Sequence, residues 1–180
     1  YVIIDNPKKK KDHRYLLVEN TLKALQELAK FHRNQLTIPI IGITGSNGKT
    51  TTKELIYSTL KEKYNTYATK GNYNNHIGVP LSVLEINNNH ELAIIEMGAS
   101  AQKEIEFLCN ISKPTCGLIT NIGKAHLEGF GGLEGVKKGK SELYRYIENK
   151  NGLLFINGED ETLLKLTKSK NLIRYGINSH

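Results

Sequence analysis

A short apolar run that stops at a glycine-rich turn constrains this chain more than any other feature. Ile38-Pro39-Ile40-Ile41-Gly42-Ile43 reads as a strand buried on both faces, and Thr44-Gly45-Ser46-Asn47-Gly48-Lys49-Thr50-Thr51 follows at once. From Lys49 to about Tyr64 the pattern is helical. Strand, glycine turn and helix in that order form the context a phosphate loop requires. Glycines let backbone N–H groups close around phosphate oxygens, and the helix N-terminus adds a favourable dipole. Lys49 would neutralise the β and γ phosphates, and Thr50 would offer a hydroxyl to Mg²⁺. The common loop has its first glycine about five residues before the Gly-Lys pair. Here Ile43 holds that place, and the nearest glycine of the loop is Gly45, so this is a shorter variant.

Further strands are expected at Leu92-Ala93-Ile94-Ile95-Glu96-Met97, Cys116-Gly117-Leu118-Ile119-Thr120, Leu153-Leu154-Phe155-Ile156 and Leu172-Ile173-Arg174-Tyr175. Helical patterns lie between them, over Gln102 to Cys109, Leu133 to Glu148, and Glu161 to Leu166. This alternation predicts an α/β fold, a mostly parallel sheet with helices on both faces. Ahead of it, Tyr1-Val2-Ile3-Ile4 reads as a strand. Val18 to Phe31 reads as a helix capped by Asn20 or Thr21, and His32 to Thr37 as a linker. The chain opens without Met and closes on Asn178-Ser179-His180, so a cut from a longer protein is expected.

No apolar run approaches the ~20 residues that span a bilayer, and no signal peptide opens the chain. Cys109 and Cys116 lack metal-ligand or CxxC spacing, which argues against a disulfide scaffold and for core thiols in a reduced, cytoplasmic setting. The net charge of +7 owes part of its excess to Lys8-Lys9-Lys10-Lys11. That cluster reads as a solvated loop, because no aromatic-interleaved basic stripe accompanies it.

Ligands of an open α/β sheet bind beyond the carboxyl ends of its strands. Glu96 ends a strand there and is either an Mg²⁺ ligand or a solvent-facing turn residue. Asn121 and His126 follow the next strand; His126 is a metal or phosphate ligand or a structural histidine. Gly71-Asn72-Tyr73-Asn74-Asn75-His76-Ile77-Gly78-Val79-Pro80 is a polar loop whose amides suit either binding or turn geometry. Lys137, Lys138 and Lys140 read as a solvated helix face, with Glu134 and Lys138 an i,i+4 pair.

Taken together, Gly45 to Thr51, Glu96-Met97-Gly98-Ala99, and Asn121-Ile122-Gly123 with Ala125-His126 resemble the Mur ligase family of peptidoglycan synthesis. The Asn72 to Asn75 loop favours the branch that adds D-alanyl-D-alanine to UDP-N-acetylmuramoyl-tripeptide. The resemblance implies an ATP- and Mg²⁺-dependent ligase that works through an acyl phosphate. Residues 1–36 would be the tail of a UDP-sugar-binding domain, and 37–180 most of the central ATP-binding domain. It also implies nucleotide contacts from Gly45, Ser46, Asn47, Gly48, Lys49, Thr50, Thr51 and Asn121. Substrate contacts would come from Asn72, Asn74 and Asn75. Metal ligands would be Thr50, Glu96, His126 and Lys140, the last as a carbamate, with Lys49, His126 and Lys140 as the catalytic set. Carbamate formation needs a neutral amine, so the site must lower the pKa of Lys140, with Lys137, Lys138 and magnesium as candidate causes. The expected partners are small molecules, UDP-MurNAc-tripeptide and D-Ala-D-Ala, with no nucleic acid, no membrane insertion and a monomeric enzyme. A sister Mur ligase, a folylpolyglutamate synthase or a non-ligase NTPase module are the alternatives. The last would need the longer loop and an Asp-ending strand, where this chain has Ile43 and Glu96.

Overall fold

A computed structural model describes residues 1–177, so Asn178 to His180 lie outside it. A two-stranded parallel ribbon, β1 (Val2–Ile4) and β2 (Tyr15–Leu17), opens the chain and encloses the exposed lysine run. Helix α1 (Thr21–Gln35) follows, with the Asn20 side chain accepting the Lys23 N–H at 2.8 Å. It runs through His32 and Arg33, so the linker expected there is helix instead. Arg33 explains the extension. It is buried and donates to the carbonyls of Leu36 and Ile38 beyond its own helix and of Ser112 and Lys113 across the interface. A guanidinium spends its donors on otherwise orphaned helix-end carbonyls.

The body then alternates β3 (Ile40–Thr44), α2 (Lys49–Leu60), β4 (Thr66–Ala68), α3 (Gly78–Glu85), β5 (Leu92–Glu96), α4 (Glu104–Ser112) and β6 (Cys116–Ile119). It closes with α5 (Leu127–Phe130), α6 (Leu133–Lys140), α7 (Glu142–Glu148), β7 (Leu153–Asn157), α8 (Glu161–Leu164) and β8 (Leu172–Tyr175). The six strands from β3 onward form one parallel sheet in the order β4-β5-β3-β6-β7-β8. From β3 the chain steps outward to β4, returns to β5, then crosses to β6 on the other side. The strand order therefore reverses at β3, and the crevice at its carboxyl end is the switch point where such sheets bind ligands.

Alternate residues of the central strands feed two cores. Ala93 and Ile95 pack with Ile105, Leu143 and Ile147 under a layer built from α1, α3, α4 and α7. Ile43, Ile94 and Leu118 face the other way, toward Ile56 and Leu60 of α2. Right-handed crossovers account for the imbalance: among these steps only β3 to β4 runs leftward, so only its helix falls on the second face. Beside α2 an apolar groove of about 570 Å³ stays open, lined by Ile41, Leu55, Leu118 and Phe155.

The single helix expected from Leu133 to Glu148 divides at Ser141. Its hydroxyl donates to the Lys138 carbonyl at 2.9 Å, back-bonding that bends a helix. Glu134 pairs with Lys137 at 2.7 Å, not with Lys138 as its spacing suggested. The polar loop ends earlier than expected. Pro80 sits in the first turn of α3, where a missing N–H is tolerated, and Gly78 is required because a Cβ would lie 2.4 Å from Tyr73 backbone.

Candidate active site

The turn after β3 is held from the β6 side. The Asn121 carbonyl accepts the Ser46 N–H at 3.1 Å. Its side chain brackets Asn47, Oδ1 accepting the Asn47 N–H at 3.1 Å and Nδ2 donating to the Asn47 carbonyl at 3.0 Å. Thr120 donates to that same carbonyl at 2.7 Å, and Ser46 Oγ accepts the Gly123 N–H at 2.8 Å. Gly45 and Gly48 have φ of +146° and +75°, and a Cβ on Gly45 would lie 2.0 Å from Thr120 Oγ1. Two left-handed glycines thus turn the chain sharply into α2, whose first N–H groups face the crevice without a side-chain cap. Lys49 folds over this turn and donates to the carbonyls of Gly45 at 2.9 Å and Ser46 at 3.3 Å. Burial lowers its pKa, and the Glu96 charge opposes that.

Glu96, at the end of β5, is 1% exposed. A carboxylate so buried must be satisfied. Thr50 Oγ1 donates to its Oε2 at 3.0 Å, and Asn74 Nδ2 donates to its Oε1 at 2.8 Å. The structure therefore brings together the phosphate loop, the strand-end acid and the Asn-rich loop. Asn74 fits closely: its carbonyl accepts the Gly98 N–H at 2.7 Å, and a Cβ on Gly98 would lie 2.8 Å from its Oδ1.

A cleft of about 640 Å³ opens in front of these groups, lined among others by Lys49, Asn74, Asn75, Ser100, Glu104 and His126. His126 is exposed, has φ +53° and starts α5. Asn75 spends its Oδ1 on the N–H groups of Ile77 at 3.0 Å and Gly78 at 2.9 Å, starting α3. Asn72 and Thr51 are exposed and stand off the cleft wall. Among the described residues no three His, Cys, Asp or Glu side chains converge as a metal cage.

Lys140 is not on the solvated face suggested by its neighbours. It is 1% exposed, donates to the Ala99 carbonyl at 3.1 Å and lies 5.2 Å from the centre of the Phe130 ring. Burial first, then the charge of Lys49, brings its amine down to about 8, while Glu104 and Glu142 pull upward. The causes of that lowering are burial and Lys49 rather than Lys137 and Lys138. Cys109 is fully buried and Cys116 half-buried, as expected of core thiols, and burial pushes both upward.

The Mur ligase middle domain family matches residues 43–180. The chain belongs to the Mur ligase family. The UDP-N-acetylmuramoyl-tripeptide–D-alanyl-D-alanine ligase of Bacillus subtilis is 42% identical over 174 residues, 97% of this chain but 38% of that protein. The enzyme of the same name from Synechocystis is 50% identical over 127 residues, 71% of this chain and 28% of its own length. Among solved Mur ligases, the Thermotoga maritima MurF in complex with ADP superposes with a TM-score of 0.86 at 34% identity. That match covers 98% of this chain and 41% of the Thermotoga chain. A MurF from Acinetobacter baumannii superposes at 0.85 with 37% identity, covering 97% of this chain and 39% of the Acinetobacter chain. The chain thus spans about two fifths of the length of the Mur ligases that match it over nearly all of its own length.

Reading the sequence alone missed Glu142, whose buried carboxylate accepts the N–H groups of Lys103 at 2.7 Å and Glu106 at 2.9 Å and caps α4. It also missed Thr69, whose hydroxyl accepts the Glu96 N–H at 3.0 Å. The Ser141-Glu142 pair carries no local signal for a contact made 36 residues away.

Proposed function

We propose that the chain is the nucleotide-binding part of an ATP-dependent ligase that joins D-alanyl-D-alanine to UDP-N-acetylmuramoyl-tripeptide in cytoplasmic peptidoglycan precursor synthesis. One observation carries the reading: Lys49 of the glycine turn, Asn74 bound to the Glu96 that Thr50 also holds, and Ala99, whose carbonyl accepts from Lys140, line one switch-point cleft. Support for the substrates comes from relatives named for that reaction and from the ADP held by the Thermotoga relative. Residues 1–36 are proposed as the tail of the preceding sugar-nucleotide domain, with α1 docked on the ATP-binding body.

In the proposed reaction a peptide carboxylate attacks the γ-phosphate of ATP, giving an acyl phosphate and ADP. The amine of D-alanyl-D-alanine then attacks the acyl carbon, losing a proton as phosphate leaves. An anion attacking a polyanion needs cationic compensation. Lys49 supplies a fixed positive charge at the turn, and the α2 N–H groups supply dipoles. Asn121, Thr120 and Ser46 keep those groups aimed. Asn74 orients Glu96, Asn75 reaches the cleft wall from the same loop, and the exposed Asn72 would meet substrate from outside that wall.

Mg²⁺ suits the oxygen donors present. Glu96 and Thr50 would hold one ion together with nucleotide phosphates, the arrangement that ion favours over an all-protein cage. His126 and a carbamylated Lys140 would hold a second. When bound, the metal supplies charge neutralisation at the phosphates. Lys140 fits the modification because its buried amine is neutral at a far lower pH than an ordinary lysine.

Phosphate release by the intact protein tests the proposal. Release is expected only when ATP, the UDP-linked tripeptide and D-alanyl-D-alanine are all present; hydrolysis indifferent to the dipeptide overturns it.

A further inference from the structure

Lys53 lies on α2 one turn beyond Lys49 and Thr50, and its side chain is fully buried. Taking an ammonium out of water is strongly unfavourable unless its donors are met. Its three protons have three acceptors: the Thr69 carbonyl at 2.6 Å, the Gly71 carbonyl at 3.4 Å and Glu54 Oε1 at 3.0 Å. The two carbonyls bracket the corner where β4 gives way to the Asn-rich loop, and Gly71 takes a φ of +52° there. The same corner is tied to the strand-end acid, because Thr69 Oγ1 accepts the Glu96 N–H. At its other end the loop is anchored by Asn74 on Glu96 and Gly98. Between these anchors Asn72 and Tyr73 are exposed. Lys53 itself does not line the cleft.

We propose that Lys53 is a positioning residue, whose ammonium sets the Asn72 to Asn75 loop at a fixed distance from the phosphate loop. A helix holds positions i, i+3 and i+4 on one face in rigid register. Lys49, Thr50 and Lys53 therefore move as one body, and Lys53 transmits the place of the turn to the loop that delivers Asn74. Only the kinetic consequence rests on the ligase reading; the geometric claim stands apart from it.

Lys53→Met keeps the stem and removes the donors. In the intact protein, hydrogen exchange read by mass spectrometry is expected to quicken about tenfold over residues 69–78 and at Gly98, with β3 and β6 unchanged. Turnover is expected to show kcat lowered about thirtyfold with the KM for ATP within about twofold, since the turn keeps its own contacts. Unchanged exchange over 69–78 overturns the proposal, and so does quickening spread evenly through β3 and β6. A kcat equal to that of the unaltered enzyme overturns it as well. If the unaltered protein shows no dipeptide-dependent turnover, the ligase reading fails and the exchange result alone decides the role of Lys53. Should Lys53→Met not fold, Lys53→Gln is measured the same way, with the same outcomes.

Discussion

Two lysines of this molecule are buried to the same degree and surrounded in opposite ways. Lys53 is 0% exposed and Lys140 1%. Lys53 meets three acceptors, one of them a carboxylate, in the corner between α2 and β4. Lys140 meets one carbonyl, that of Ala99 on the cleft wall, and an aromatic ring. Burial alone therefore assigns neither role. The surroundings do: Lys53 is fastened by three acceptors, and the Lys140 amine is brought down by burial and by the charge of Lys49.

The contrast can be broken from several directions. The largest effect is expected at Lys49, the half-buried lysine of the glycine turn. Lys49→Ala should lower turnover at least about a thousandfold and abolish ADP binding by calorimetry. Retained turnover would remove the turn from the mechanism. Next, Lys140→Gln should cost about a hundredfold in kcat while ADP affinity stays within about twofold. An equal loss of ADP binding would make Lys140 part of the nucleotide seat instead. Stability separates the two buried lysines further. Lys53→Met should lower the unfolding free energy in urea by about 2 kcal/mol, because two buried carbonyls lose a charged donor. Lys140→Met should raise it by about 1 kcal/mol near neutral pH, by removing a poorly compensated charge.

That last gain has a sign with pH. The folded protein releases the Lys140 proton near pH 8, whereas the unfolded chain holds it until about 10.5. Between those values the unfolded chain binds more protons, so the native protein gains stability as pH rises. The advantage of Lys140→Met should be greatest below pH 8 and shrink toward 10.5. A pH-independent advantage would show that burial does not lower this amine.

The parts of the fold that were legible in the sequence share a physical cause. β3, β5 and β6 are apolar runs covered on both faces, β7 is apolar although one of its faces borders the open groove, and the glycine turn declares itself through positions that need positive φ. The three-residue strands β2 and β4 are too short to show a period. α1 was cut short because His32 and Arg33 are polar, although Arg33 is buried on carbonyls contributed from far along the chain. In the site, Lys49, Thr50 and Glu96 were readable from strand-end placement. The burial of Lys140 was not, since its three neighbouring lysine and glutamate positions advertise a wet helix face. Lys53 was silent for a related reason: a lysine inside Thr52-Lys53-Glu54 looks like any surface residue until the loop that covers it is known.

Glu96 offers one carboxylate to a divalent ion and already lends each of its oxygens to a neighbour. On the proposed function this is half a cage, and the triphosphate must complete it. Free magnesium should therefore bind feebly on its own, and by thermodynamic reciprocity each visitor must tighten the grip on the other by the same factor. Titrating nucleotide at several fixed magnesium concentrations would expose that mutual dependence as a shift in apparent affinity.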